Sequence, residues 1–125
     1  MKAFVAPEPD QQSSDTVLSL ALIYLRHNQP DRALALGIAA MTFGPITPRM
    51  ALLVADAFLR NGDAEQALAI LSRFEGEGGQ LSPAPDDLQQ AAAHVLLAKA
   101  HQRVGDGAAA RSHLAKAAAY SGEAA

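Results

Sequence analysis

Cysteine is absent from the 125 residues. Disulfide staples and thiolate metal sites are therefore excluded, which fits a reducing compartment and leaves burial to hold the fold together. Aromatic residues are scarce, four Phe and two Tyr. Ala and Leu dominate instead, a balance that favours helices crossing at small residues over a β-rich fold. A charge surplus is also missing. The formal net charge of -3 lacks the basic excess of a general nucleic-acid binder, although it leaves room for a local basic stripe. No stretch approaches the roughly 18 uncharged apolar residues of a membrane span. Met1 to Ala6 runs at once into Pro7, Glu8, Pro9 and Asp10, so the apolar centre of a secretory signal is lacking. These absences predict a soluble cytoplasmic protein with no membrane insertion and no nucleic-acid partner.

What is present is a repeat. Leu20 to Leu36, LALIYLRHNQPDRALAL, aligns without gaps on Val54 to Ile70, VADAFLRNGDAEQALAI, at an offset of 34 residues. Ala21 meets Ala55, Tyr24 meets Phe58, Leu25-Arg26 meets Leu59-Arg60, and Ala33-Leu34-Ala35 meets Ala67-Leu68-Ala69. A third copy runs from Leu97 to Leu114, with Gly105-Asp106 placed on Gly62-Asp63 at an offset of 43. The extra nine residues fall in the Gly- and Pro-rich stretch from Glu75 to Asp87, which reads as a loop.

The period and the pattern resemble the tetratricopeptide repeat family. Ala21, Tyr24, Asn28, Ala33, Ala40 and Pro45 match in the first copy, and Ala55, Phe58, Gly62, Ala67 and Phe74 in the second. The third keeps Ala98, Gly105, Ala110, Leu114 and Ala117. His101 stands at the aromatic position, and Gly37 where a large apolar residue is usual. The resemblance implies an all-α solenoid of three helix-turn-helix repeats, six helices in a right-handed superhelix. The repeats fall at about 14–47, 48–81 and 88–121 within one domain over 13–121, between a disordered tail 1–12 and a flexible end 122–125.

Local chemistry places helices near 14–27, 30–43, 48–60, 64–75, 86–104 and 107–120. Ser13 or Ser14, Asn28 and Thr47 are the candidate N-caps, with Pro30 and Pro48 just inside two of the starts. Asn28, Asn61-Gly62 and Gly105 supply turn residues that tolerate positive φ.

Catalytic and metal motifs are not evident. His94 and His101, seven apart on one helix, share a face, but HExxH is absent and no carboxylate stands at the usual spacing, so a packing role is expected for both and no metal site. Gly76, Gly78 and Gly79 lack the GK[ST] of a phosphate loop. Ser112 and His113 are adjacent in a helix and point apart. A non-enzyme without a cofactor is predicted, with an enzyme or metal-binding protein using His94 and His101 as the rival from another class.

In the family, the first helix of each repeat lines the concave face. The register then implies a groove of Asp15, Leu18, Ser19, Leu22, Leu25 and Arg26 from the first repeat. Arg49, Leu52, Leu53, Asp56, Leu59 and Arg60 follow from the second, and Ala92, Val95, Leu96, Lys99, Gln102 and Arg103 from the third. Leu18, Leu22, Leu53, Ala92 and Leu96 stand where the carboxylate clamp of some members holds Lys, Asn and Arg, so capture of a C-terminal carboxylate is not expected. An aliphatic trough with an in-register Arg26, Arg60 and Arg103 ladder suits an amphipathic helix of another protein bordered by acidic residues. The same stripe also fits a homodimer seam, the N-terminal tail or the 75–87 loop, and the arginines also fit ordinary helix C-terminal turns.

In size, repeat number and apolar groove the chain is similar to the small accessory chaperones of bacterial type III secretion. That resemblance implies a bacterial cytoplasmic chaperone holding an amphipathic helix of a secretion component, with Leu22, Leu52, Leu53, Leu59 and Leu96 as anchors and Arg26 and Arg60 setting orientation. A scaffold or assembly adaptor in another bacterial complex is the alternative.

Overall fold

A computed structural model describes residues 11–75 and 81–122. Those residues form six α-helices and no strand, as expected for an all-α fold. The helices are α1 (Gln11–Arg26), α2 (Pro30–Phe43), α3 (Pro48–Arg60), α4 (Ala64–Leu71), α5 (Asp87–Arg103) and α6 (Gly107–Ser121). Two boundaries differ from the sequence reading. First, α1 begins at Gln11, so Ser13 and Ser14 lie inside it rather than capping it. No proline interrupts the run after Pro9, and nothing forces a start at Asp15. Second, α4 stops at Leu71 and tightens into a 3-10 turn over Ser72–Phe74. There the Ser72 hydroxyl donates to the Ala69 carbonyl at 2.7 Å, competing for a helix C-terminal acceptor. Of the expected N-terminal tail 1–12, residues 1–10 lie outside the described residues, as do 123–125 of the expected flexible end. Gly122 ends α6 in the left-handed conformation at φ 78°.

The three turns inside the helix pairs are copies of one another. Asn28, Gly62 and Gly105 take positive φ, 58°, 80° and 88°. At each, two backbone bonds close the helix end in a Schellman pattern. Gln29, Asp63 and Asp106 donate N–H to the carbonyls of Tyr24, Phe58 and His101 at 2.8–2.9 Å. Asn28, Gly62 and Gly105 donate to Leu25, Leu59 and Gln102 at 3.0–3.2 Å. The positions repeat at the 34- and 43-residue offsets read from the sequence. Caps follow local chemistry. The Thr47 hydroxyl accepts from the Met50 N–H, Asp63 and Asp106 cap α4 and α6, and Asp86 with Gln89 forms a reciprocal capping box on α5. Asn28 is not a cap; Gln29 occupies that position without a side-chain bond.

Each helix packs on the next, and α3 also touches both α1 and α5. The small residues of the repeat make these approaches possible. Ala21, Ala55 and Ala98 in the first helices are buried, and so are Ala33, Ala67 and Ala110 in the second. Helix α3 lies at the centre and feeds two apolar clusters. Leu53, Val54 and Ala57 pack with Leu18, Ala21 and Leu25 of α1. Ala51, Ala55 and Leu59 pack with Ala67 and Leu71 of α4 and with Ala93 and Leu97 of α5. Gly37 of α2 lies close against α3. A β-carbon there would stand 2.5 Å from Cγ2 of the fully buried Val54. A glycine at this position thus allows the two helices to approach as closely as they do.

The connection between α4 and α5 is partly core. Leu81 is buried against the α3–α4–α5 cluster, and the Ser82 N–H donates to the Ile46 carbonyl at 3.0 Å. The sequence reads 75–87 as a loop; in its described part the one large apolar side chain, Leu81, anchors it to the body. Residues 76–80 lie outside the described residues.

Candidate functional site

Helices α1, α3 and α5 come together around an open groove of about 480 Å³. It is lined by Leu18, Leu22 and Leu25 of α1, by Arg49, Leu52, Leu53 and Asp56 of α3, and by Ala92, Val95 and Leu96 of α5. Every one of these had been assigned to the inner face from the repeat register. The i, i+4, i+7 spacing of Leu18, Leu22 and Leu25, and the i, i+3, i+4, i+7 spacing of Arg49, Leu52, Leu53 and Asp56, put each set on one side of its helix. The groove has two layers. Leu18, Leu25 and Leu53 form a floor that is at most 7% exposed and belongs to the core. Leu22 and Val95 stand on the walls at 39% and 37% exposure. Ala92 is exposed as well, and Leu52 and Leu96 are half-buried, so these five residues offer the apolar surface that the floor does not.

Eight of the expected groove residues, Asp15, Ser19, Arg26, Leu59, Arg60, Lys99, Gln102 and Arg103, are not among those lining it. Leu59 is 2% exposed in the central cluster and is a core residue, not an anchor. It sits at the end of α3, where α4 and α5 close over it. The arginines do not form a free ladder. Arg60 is held on its own helix by Asp56, with Nε 3.2 Å from Oδ1. Arg103 donates from Nη1 to the Leu59 carbonyl, tying the end of α5 to the end of α3. That carbonyl belongs to the last turn of a helix, where acceptors lack intrahelical donors. Arg26 is exposed at the end of α1 and does not line the groove. Lys99 shares a separate shallow hollow with Gln102 and Arg103. At the other end, Arg49 pairs with Asp15 across α1 and α3 at 3.7 Å. Arg49 of the groove lining and Arg60 of the expected arginine border are thus each balanced by a carboxylate, while Arg103 is engaged by a carbonyl. No loop residue among 81–86 lines the groove.

A second cluster was not anticipated. The sequence set His94 beside His101 because both lie on α5. The structure faces His94 to His113 of α6, with the two Nδ1 atoms 2.9 Å apart, and His101 stacks on His113 with centroids 5.2 Å apart. Tyr120 stacks on the far side of His94 at 5.6 Å. Oε1 of Glu75, just beyond the 3-10 turn, lies 3.7 Å from Nδ1 of His113. His94 and His113 are 4% and 7% exposed. The carboxylate missing at helical spacing is supplied from the preceding helix pair. The one sequence signal for the His94–His113 pair was their placement on opposite sides of the Gly105 turn, which folds α6 back along α5.

Burial lowers the pKa of His94 from the usual 6.5, and the neighbouring His113 and Lys116 lower it further against the pull of Glu75. Burial also lowers His113, opposed by Glu75 and reinforced by His101 and Lys116. With both folded-state values below the unfolded one, the unfolded chain binds more protons in acid, and stability falls as pH drops below about 6.5. Each group contributes up to about 1.4 kcal/mol per pH unit in that window. In metal-free buffer the melting temperature is expected to be level above pH 7 and to fall by several degrees towards pH 5. The paired substitution His94→Gln with His113→Gln should flatten that acid limb. A melting temperature that rises on acidification would contradict the assignment.

Comparison with protein-family models, with curated proteins and with solved structures finds no match to this chain.

Proposed function

We propose that this protein is a non-catalytic binding module of the tetratricopeptide type, whose groove between α1, α3 and α5 seats an amphipathic helix of another protein. The groove itself carries the reading: an open, aliphatic channel running across three helices with Arg49 and Asp56 as its only charged lining residues. Support for stacked repeats comes from the three matching turns and from the contacts of α3 with α1 and α5. Among the lining residues there is no nucleophile beside a base, which favours recognition over reaction. The client's apolar side chains would recur at i, i+3, i+4 and i+7, and its polar face would remain in water. Because Arg49 and Arg60 are already paired with carboxylates, acidic residues on the client would meet less unbalanced positive charge than an unpaired arginine ladder would offer.

The finer reading is a bacterial cytoplasmic chaperone that shields such a helix of a type III secretion component until export, on the resemblance in size, repeat number and groove. A scaffold in another assembly would use the same surface. Co-expression with candidate partners tests both. Leu22→Asp and Val95→Asp change exposed wall residues, so helix content and melting temperature should stay close to the parent's. Burial of one such side chain is worth roughly 1.5–3 kcal/mol, so each change should weaken a groove-bound partner about 10- to 100-fold. A complex that survives both substitutions intact would rule out the groove as the binding site. A chain that dimerises by itself and dissociates on Leu22→Asp would make the groove a self-association seam.

A further inference from the structure

We propose that Glu75, His94 and His113 form a divalent metal site, suited first to zinc, that ties the third helix pair to the end of the second. The three side chains each direct a ligand atom to one place. One ligand atom from each of the three residues lies within 4.8 Å of the other two. Zinc holds imidazole nitrogen and carboxylate oxygen at about 2.0–2.2 Å in a tetrahedron, so its ligand atoms stand roughly 3.3 Å apart. The present separations of 2.9 Å for the nitrogen pair and 3.7 Å for nitrogen to oxygen bracket that value. Closing the third edge takes a rotamer adjustment of Glu75, whose side chain is 41% exposed and has room to move.

The donor set argues for the metal class. Two imidazoles and one carboxylate are borderline ligands that suit zinc, cobalt or nickel better than calcium or magnesium, which prefer oxygen alone. The two rings are also held in place. His113 is stacked on His101, and His94 on Tyr120, with interplanar angles of 11° and 12°. Ligands fixed by their neighbours bind with less loss of conformational freedom. Without a metal, the two Nδ1 atoms make one hydrogen bond at 2.9 Å, its donor set by the tautomers, and the Glu75 carboxylate lies 3.7 Å from Nδ1 of His113. A dication would engage both nitrogen lone pairs and the carboxylate together. It would do so against the positive charge of Lys116, which lies close enough to act on both histidines.

The ligands come from three segments: the residue after the 3-10 turn, α5 and α6. A bound ion thus fastens α5 to the preceding helix pair, and α5 carries Ala92, Val95 and Leu96 of the groove wall. The site itself does not depend on what the groove binds.

The experiment is a titration of the full chain with cobalt(II), a spectroscopic stand-in for zinc. One equivalent should bind, give the visible absorption of a four-coordinate nitrogen- and oxygen-ligated ion, and be displaced by zinc. Zinc should also raise the melting temperature. Glu75→Ala, at an exposed position, should fold as the parent does and bind at least 10-fold more weakly. His113→Ala should bind at least 100-fold more weakly, and His27→Ala, an exposed histidine on the opposite end of the chain, should bind as the parent. No saturable cobalt signal at millimolar metal would overturn the site. So would binding that Glu75→Ala and His113→Ala leave unchanged, or that is lost with His27.

Discussion

Gly37→Leu is expected to destabilise the protein by about 3 kcal/mol or more, the upper end of the usual cost of overpacking. For a domain of this size that corresponds to a fall in melting temperature of roughly 10 °C or more. The reason is local. The β-carbon alone would stand 2.5 Å from Val54 Cγ2 and 3.5 Å from Leu53 Cδ2. Val54 is 0% exposed and β-branched, so it has neither space nor a spare rotamer to move into. The helices α2 and α3 would have to separate, opening the cluster that holds Leu18, Ala21 and Leu25. Gly37→Ala separates this from helix propensity. Alanine gains about 1 kcal/mol over glycine in a helix interior, yet the clash should make Gly37→Ala neutral or destabilising. In a double-mutant cycle with Val54→Ala, the pair should be more stable than the sum of the single changes by about 1 kcal/mol or more. Thermal or urea unfolding measures all four proteins. If Gly37→Ala alone stabilised the chain, the close approach would be wrong.

Leu53→Asp should abolish cooperative unfolding, and Leu53→Ala should cost roughly 2–5 kcal/mol. Leu53 lines the groove, but it is 7% exposed and packed with Val54, Ala57, Leu18 and Leu25. A carboxylate there would be taken from water with no partner, a cost that ionisation cannot survive in an apolar cluster. Loss of binding in Leu53→Asp would therefore report on folding, whereas Leu22→Asp and Val95→Asp report on the surface. Circular dichroism distinguishes them: helical content should collapse in the first and persist in the other two. A folded Leu53→Asp protein with normal stability would show that the floor of the groove is not part of the core.

The repeat was legible because it depends on short-range chemistry. Asn28, Gly62 and Gly105 mark places where the backbone must take positive φ, and each does. Thr47, Asp63, Asp86 and Asp106 cap helices through contacts three residues away. Ala21, Ala33, Ala55 and Ala67 are small where helices cross, and all four are fully buried. The 34-residue register then carried the ten groove-lining residues to one face, since residues equivalent in a repeat occupy equivalent surfaces. Leu59 and the arginines were misplaced for a related reason. Helical spacing gives the side of a helix but not how far along it the neighbours extend, and the ends of α3 and α5 are closed by each other.

By itself, then, the sequence determined the helices, their turns and the apolar stripe, because caps, glycines and periodicity act within one or two turns of the chain. Only the tertiary structure decided which leucines are floor and which are wall. It alone showed that Gly37 packs closely against Val54 of α3, and that Arg49, Arg60 and Arg103 are already engaged. It also brought Glu75, His94 and His113 from three segments to one point. Those outcomes depend on where separate helices meet, and that is set by the summed packing of all six.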